Sequence, residues 1–220
     1  KEHQPKLVCF SVPFPGNRYS AFRCAQFIKA NYPEVKAAMG GGFPNTELRS
    51  LTDSRVFDYF DFITLDDGEL PIELLYQSLD TNPADFDFKR TYFRNEGTVI
   101  YSNNNILPDY KQAQVGTPDY SVLLLDSYIS VLGIAHPMHS LWNEGRWNKL
   151  TMARGCYGGE CNFCDISFVY IRLYEPVTAK LLVDRMEELI EQTGETGFHF
   201  VDEASPPALM RALAIEIIRR

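Results

Sequence analysis

The chain has 220 residues, of which 45% are apolar and 23% are charged, and these values are ordinary for a globular protein of one or two domains. Its formal net charge of -8 and the lack of a basic stripe argue against nucleic acid as a partner, because phosphate backbones select clustered Lys and Arg. No apolar run reaches the ~20 residues of a membrane-spanning helix, and no signal-peptide pattern opens the chain. A cytoplasmic protein is therefore expected.

The first 80 residues alternate between strand and helix patterns. Strands are predicted at residues 6–12, 35–39 and 57–65, and helices at residues 19–30, 47–55 and 71–79. Because strands that alternate with helices form parallel sheets, this part of the chain is predicted to be an α/β domain.

The middle of the chain, residues 81–148, has a less regular pattern. Residues 91–101 are predicted to form a hairpin that turns at Asn95, Glu96 and Gly97. The remainder is rich in Asn, Pro and Gly, so the segment is interpreted as an irregular linker that contains one hairpin.

A second α/β pattern occupies residues 149–220. It predicts a helix at 178–193, a strand at 197–201 and a helix at 206–219. This order is that of the first β/α units of a barrel, although two units cannot close one. The chain lacks an initiator Met and stops within a helix pattern, so we expect an internal fragment of a longer protein.

Five cysteines is an odd count, and three of them, Cys156, Cys161 and Cys164, lie within nine residues. This crowding does not suit a secreted disulfide framework, whereas it suits metal ligation in a reducing cytosol. The spacing C-x4-C-x2-C lets three thiolates face one centre, and neighbouring glycines permit the backbone angles of such a loop. Cys9 and Cys24 are instead expected in the core.

Two kinds of metal centre suit three thiolates. Three cysteines leave one iron of a four-iron cluster without a protein ligand, as a cofactor-binding cluster needs, whereas an electron-transfer cluster usually has a fourth cysteine. No cysteine follows Cys164 in this chain. The alternative is a zinc site completed by His136, His139 or His199. The pattern favours the iron–sulfur cluster.

The segment at residues 154–164, RGCYGGECNFC, resembles the signature of radical S-adenosylmethionine (radical SAM) enzymes. It is most similar to the subset with four residues between the first two cysteines. The resemblance implies that this loop follows the first barrel strand and holds a 4Fe-4S cluster through Cys156, Cys161 and Cys164. It also implies that S-adenosylmethionine (SAM) binds the open iron and is cleaved to a 5′-deoxyadenosyl radical.

The same resemblance implies roles for two further residues. Phe163, which precedes the last cysteine, would lie near the adenine of SAM. The sequence GFHFVDE at 197–203 resembles the second barrel strand, whose end often carries an acidic residue that faces the active site. Asp202 is expected to be that residue. The alternative for Asp202 is a helix N-cap, because a Pro-started helix follows it.

Residues 1–80 resemble the end of the Rossmann-like, cobalamin-binding-type domain that precedes the barrel in one large radical SAM group. The ligand-binding positions implied by that resemblance are Ser11, Gly40, Gly41, Gly42, Gly68 and Glu69. Glycines at strand ends let a ligand approach the backbone, but they are also ordinary in strand-to-helix turns. The Asp-x-His-x-x-Gly motif of classical cobalamin domains does not occur in this chain. Two alternatives therefore remain: the domain binds cobalamin, or it is a vestigial domain that does not.

The expected fold is α/β, with a partial Rossmann-like parallel sheet at residues 1–80, the linker at 81–148 and the start of a radical SAM (partial TIM) barrel at 149–220. The expected function is that of a radical SAM iron–sulfur enzyme, with an unknown substrate and a reductant such as flavodoxin or ferredoxin. The alternative is a non-catalytic iron–sulfur electron-transfer or zinc-stabilised interaction module. With only two barrel units, this fragment is expected to be inactive.

Overall fold

The chain folds into two compact units, Lys1–Tyr110 and Lys111–Arg220. A computed structural model describes residues 4–127, 147–162, 164–165, 167–202 and 204–220. Each unit buries apolar side chains of its own, so each has a core around which its helices and strands are arranged.

The first unit is built on one five-stranded sheet, in which the strands follow each other in sequence order. The strands are β1 (Leu7–Ser11), β2 (Lys36–Gly40), β3 (Phe62–Thr64), β4 (Thr91–Asn95) and β5 (Thr98–Ser102). Strands β1, β2 and β3 are parallel, and the β4–β5 hairpin adds two antiparallel strands beside β3. The sheet is therefore mixed, and the predicted α/β class is confirmed.

The helices of the first unit are α1 (Arg18–Asn31), α2 (Gly42–Glu47) and α3 (Glu69–Gln77). Short 3-10 helices occupy Pro15–Asn17, Ser54–Asp58 and Pro83–Asp85. The helix predicted at 47–55 is wrong, because α2 ends where that helix would begin. The Arg49 side chain turns back there and donates a hydrogen bond of 2.7 Å to the carbonyl oxygen of Asn45.

Both faces of the sheet are covered. Alternation along the strands places Met39 and Ile63 in the core on one face, and Ala38 and Phe62 in the core on the other. Sheets buried on both faces require apolar strands, which explains the continuous apolar runs of β2 and β3.

Cys9 and Cys24 are exposed, so the prediction that they belong to the core is wrong. Cys9 lies on β1, the strand at the edge of the sheet, and Cys24 lies on the exposed side of α1. An apolar pattern predicts a strand or a helix, but it does not show which positions of that strand or helix are covered by other residues of the chain.

The second unit contains two short strand pairs. Strand β6 (Trp147–Leu150) pairs parallel with β9 (Gly197–Phe200), and β7 (Ala153–Arg154) pairs antiparallel with β8 (Glu175–Pro176). Its helices are α4 (Val169–Arg172), α5 (Ala179–Thr193) and α6 (Pro207–Arg219), with a 3-10 helix at Leu125–Ser127. The order β6, α5, β9, α6 agrees with the two predicted β/α units.

Helix α5 is defined at both ends by the local sequence. The hydroxyl of Thr178 accepts a hydrogen bond from the Leu181 amide at 3.2 Å, and Gly194 ends the helix with a φ of 74°. Its buried face, with Leu182 and Leu189, packs in a core that also contains Leu150. Within the described ranges, no helix is both long enough and apolar enough to cross a membrane.

Candidate functional site

The cysteine loop begins at the carboxyl end of β6. Strand β6 leads through Thr151 and Met152 into β7, and Cys156 follows two residues after β7 ends. Because β6 and β9 are parallel, the residues after both strands lie at the same edge of the sheet. This is the edge at which α/β proteins place their ligands.

Gly155 fixes the direction in which the loop leaves β7. Its φ is +73°, and a Cβ atom at this position would lie 1.7 Å from the carbonyl oxygen of Leu173. Only glycine permits both this backbone angle and this close approach of two chain segments. Glycine is therefore required at position 155 because the loop passes close to the segment that precedes β8.

The three loop cysteines are free thiols, with Cys156 half-buried and Cys161 and Cys164 exposed. The Cys164 amide donates a hydrogen bond of 3.2 Å to the carbonyl oxygen of Cys161, which forms a turn between these two residues. The Gly158 amide donates one of 3.4 Å to the Sγ atom of Cys156.

Three thiols in one glycine-rich loop provide the chemistry that an iron–sulfur cluster needs. Their sulfurs are not assembled in this structure, however: among the residues described, no group of three His, Cys, Asp or Glu side chains is placed to hold a metal ion. Metal binding and the ordering of a ligand loop are commonly coupled. Ligation by Cys156, Cys161 and Cys164 therefore stays a prediction.

Asp202 binds the backbone that leads into the loop. Its Oδ1 atom accepts hydrogen bonds from the Met152 amide at 3.1 Å and the Ala153 amide at 2.9 Å, and its Oδ2 atom accepts one from Met152 at 2.8 Å. The alternative role as N-cap of α6 does not hold, because Pro206 takes that position without a side-chain hydrogen bond. Asp202 and the cysteine loop are thus brought together.

A second set of contacts joins β7 and the residue Thr151 before it to β8 and to Gln112. A carboxylate oxygen of Glu175, on β8, lies 3.8 Å from the Arg154 guanidinium and accepts a hydrogen bond of 3.3 Å from the Gln112 amide. The Gln112 side chain also donates a hydrogen bond of 3.1 Å to the Thr151 hydroxyl. These contacts were not foreseen from the sequence, because they join segments that lie far apart along the chain.

Tyr174 is a neighbour of the loop that the sequence did not single out. Its ring makes an edge contact with the ring of Tyr157, with 6.4 Å between the ring centroids. Burial raises the pKa of Tyr174, and the nearby carboxylate of Asp202 raises it further. The phenol places a hydrogen-bond donor and an aromatic ring beside the loop.

Of the three histidines that could complete a zinc site, the structure describes His199. His199, on β9, has its Nδ1 atom 2.8 Å from the Nζ atom of Lys149, on β6, and its ring contacts Trp147. His199 thus already has a polar partner across the strand pair. His136 and His139 lie outside the described residues, as does Phe163.

The residues predicted to bind cobalamin lie at the carboxyl ends of the parallel strands of the first unit. Ser11 is paired with Gly40 across β1 and β2. A Cβ atom on Gly41 would lie 2.9 Å from the Val12 nitrogen, and one on Gly42 would lie 2.5 Å from the Pro13 carbonyl oxygen. The space beside these two glycines is therefore filled by the chain's own backbone.

The last two predicted cobalamin residues follow β3. Gly68 is the N-cap of α3, and Glu69 is the first residue of that helix. A Cβ atom on Gly68 would make only an ordinary contact of 3.6 Å with Ile72. Packing thus accounts for Gly41 and Gly42 without a ligand but does not account for Gly68, and binding of cobalamin stays a prediction.

No protein-family model matches the chain, and no curated protein matches it either. The structure is similar to a solved structure of the radical S-adenosylmethionine methyltransferase TsrM from Kitasatospora setae, with tryptophan substrate and a SAM analogue (aza-SAM) bound. The TM-score is 0.58 at 18% sequence identity, and the similarity covers 100% of this chain and 41% of TsrM. The chain thus spans less than half the length of that enzyme, and it shares the fold of the corresponding part of a radical SAM methyltransferase.

Proposed function

We propose that this chain is part of a radical SAM iron–sulfur enzyme that reductively cleaves SAM to a 5′-deoxyadenosyl radical, which acts on a substrate not yet identified. The observation that supports this most is the position of the C-x4-C-x2-C loop. It follows β6, the strand of the first of two parallel β/α units, in a fold shared with the corresponding part of a radical SAM methyltransferase.

In this function Cys156, Cys161 and Cys164 are the cluster ligands. A 4Fe-4S cluster held by these three cysteines would keep one iron free to bind SAM and would pass on the electron for its cleavage. The protein contributes three thiolates and a fixed entry into the loop at Gly155. Phe163 is proposed to contact the adenine of SAM.

The electron must come from a separate reductant, for which a flavodoxin or a ferredoxin is proposed. The formal net charge of -8 gives no reason to propose nucleic acid as a partner. Binding of cobalamin by the first unit stays a separate prediction, because packing accounts for Gly41 and Gly42 but not for Gly68.

The test is anaerobic reconstitution of the chain with iron and sulfide, followed by visible absorption and by measurement of bound iron, sulfide and zinc. We expect about four iron atoms per chain. Cys161→Ala should lose the chromophore. Cys24→Ala, which removes an exposed thiol of the first unit, is the matched control and should keep it.

The same measurement distinguishes the alternative. A full equivalent of zinc that iron does not displace, with no iron chromophore, would make the three cysteines part of a structural zinc site. The enzymatic function would then have to be abandoned.

A further inference from the structure

Asp202 holds the start of the cysteine loop through its backbone. Strands β6 and β9 pair through their backbones up to the hydrogen bond of 3.0 Å that the Val201 amide donates to the Leu150 carbonyl. Beyond that point the Asp202 carboxylate joins the two segments and accepts three hydrogen bonds from the backbone amides of Met152 and Ala153.

These two amides need a partner inside the protein. Met152 is fully buried and Ala153 is 7% exposed, so water cannot easily replace the carboxylate as their acceptor. The Met152 carbonyl accepts a hydrogen bond of 3.0 Å from the Val177 amide. Both polar groups of Met152 are thus bound, one of them by a charged acceptor, which makes a stronger hydrogen bond than a neutral one.

The backbone segment that Asp202 binds, Met152 and Ala153, leads directly to Cys156. Ala153 is followed by Arg154, Gly155 and Cys156, and Gly155 packs against the Leu173 carbonyl oxygen in a conformation that only glycine adopts readily. A shift of the backbone at Ala153 would therefore move Cys156. The segment between them has little freedom to absorb it.

We infer that Asp202 is a positioning residue, whose carboxylate fixes the end of β6 and thereby the place of Cys156, and that it does not itself contact SAM or substrate. The part of this inference that concerns the cluster rests on the proposed function, whereas the contact between Asp202 and the backbone does not. It differs from the role expected from the sequence, in which Asp202 faces the active site directly.

The test compares the wild-type chain with Asp202→Asn, which keeps the size of the side chain but replaces one acceptor oxygen with a donor. Asp53→Asn is the control, because Asp53 also accepts a backbone hydrogen bond, from Arg55 at 3.0 Å, but in the first unit. In the metal-free chain, hydrogen exchange at Met152 and Ala153 should become at least about tenfold faster in Asp202→Asn, and stay unchanged in Asp53→Asn.

After reconstitution, iron should be lost to a chelator about tenfold more readily from Asp202→Asn, the usual effect of removing a group that orients a metal ligand. The EPR spectrum of the remaining reduced cluster, scaled to bound iron, should also change. A residue that only stabilised the fold would lower the amount of cluster without altering that spectrum.

Unchanged exchange at Met152 and Ala153 would overturn the inference. So would faster exchange with wild-type iron retention and an unaltered EPR spectrum. If exchange in α5 also becomes faster in Asp202→Asn, the second unit has unfolded, and the variant Asp202→Glu is measured instead. This variant keeps the charge but displaces the carboxylate. Faster exchange confined to residues 152–153 would support the inference, and unchanged exchange there would overturn it. A wild-type chain that binds no cluster contradicts the proposed function, whereas the metal-free exchange still tests the contact.

Discussion

Gly155 lies at the point where the backbone of the cysteine loop is most constrained. Gly155→Ala would place a Cβ atom 1.7 Å from the Leu173 carbonyl oxygen and force a side chain into a φ of +73°. We expect the variant to lose about 1–3 kcal/mol of stability from the backbone angle, and more from the collision. Thermal unfolding of the second unit measures this loss.

Gly116→Ala is the control for that variant. A Cβ atom on Gly116 would meet no atom within 4 Å, so its melting temperature should stay close to that of the wild type or rise slightly. If Gly155→Ala were as stable as Gly116→Ala, the close packing of Gly155 against the segment before β8 would be refuted.

Asp109 gives the first unit a pH-dependent contribution to stability. Burial would raise the pKa of its carboxyl, but the Arg90 guanidinium, which donates hydrogen bonds of 2.9 and 2.6 Å, outweighs burial and holds the pKa below the ordinary 3.8. The contribution is therefore complete above pH 3.8 and is lost as the pH falls through the lowered pKa.

Unfolding with urea at a series of pH values below neutrality tests this contribution. Asp109→Asn should be less stable than the wild type above pH 3.8, and the difference should shrink as the solution becomes more acidic. A constant difference at every pH would show that the Arg90–Asp109 pair does not titrate as described.

At the scale of whole elements, helix α5 is the part of the second unit that the sequence defines best. Thr178→Ala removes the hydroxyl that accepts the hydrogen bond from the Leu181 amide, and should cost about 1 kcal/mol of stability. Thr178→Ser keeps a capping hydroxyl and should recover most of that loss. Urea unfolding followed by circular dichroism measures both. Equal losses in the two variants would contradict the capping role.

The predicted and observed elements agree where periodicity and end signals act together. Helix α5 has an apolar face, a capping Thr and a terminal Gly, and its predicted and observed bounds differ by one residue. The hairpin predicted at 91–101 is found as β4 and β5, because its turn residues adopt positive φ angles at Glu96 and Gly97. Local signals were sufficient in both places.

The prediction failed where a short capped turn interrupts the apolar pattern. The strand predicted at 57–65 is a strand only at Phe62–Thr64, because Ser54–Asp58 forms a 3-10 helix that Asp53 caps. Three residues of β3 suffice to pair with β2 on one side and β4 on the other. A single sequence gives no sign of where such pairing stops.

For the molecule as a whole, the sequence shows the chemical groups of the candidate site but not their arrangement. The three cysteines and their glycines lie within one short segment of the sequence, so the prediction could be based on their spacing. Asp202, by contrast, contacts Met152 from 50 positions along the chain. Tyr174 and Glu175 reach the loop in a similar way, through the β7–β8 pair. Contacts of this kind follow from the fold and cannot be derived from local patterns.

The most direct test of the central claim is the EPR spectrum of the reconstituted, reduced chain before and after SAM is added. A cluster held by Cys156, Cys161 and Cys164 leaves one iron without a protein ligand, so its spectrum should change when SAM binds. S-adenosylhomocysteine, added in place of SAM, is a useful comparison for the contribution of the sulfonium. A cluster whose spectrum is the same with and without SAM, or a chain that holds zinc and no iron, would contradict the assignment of this chain to radical SAM chemistry.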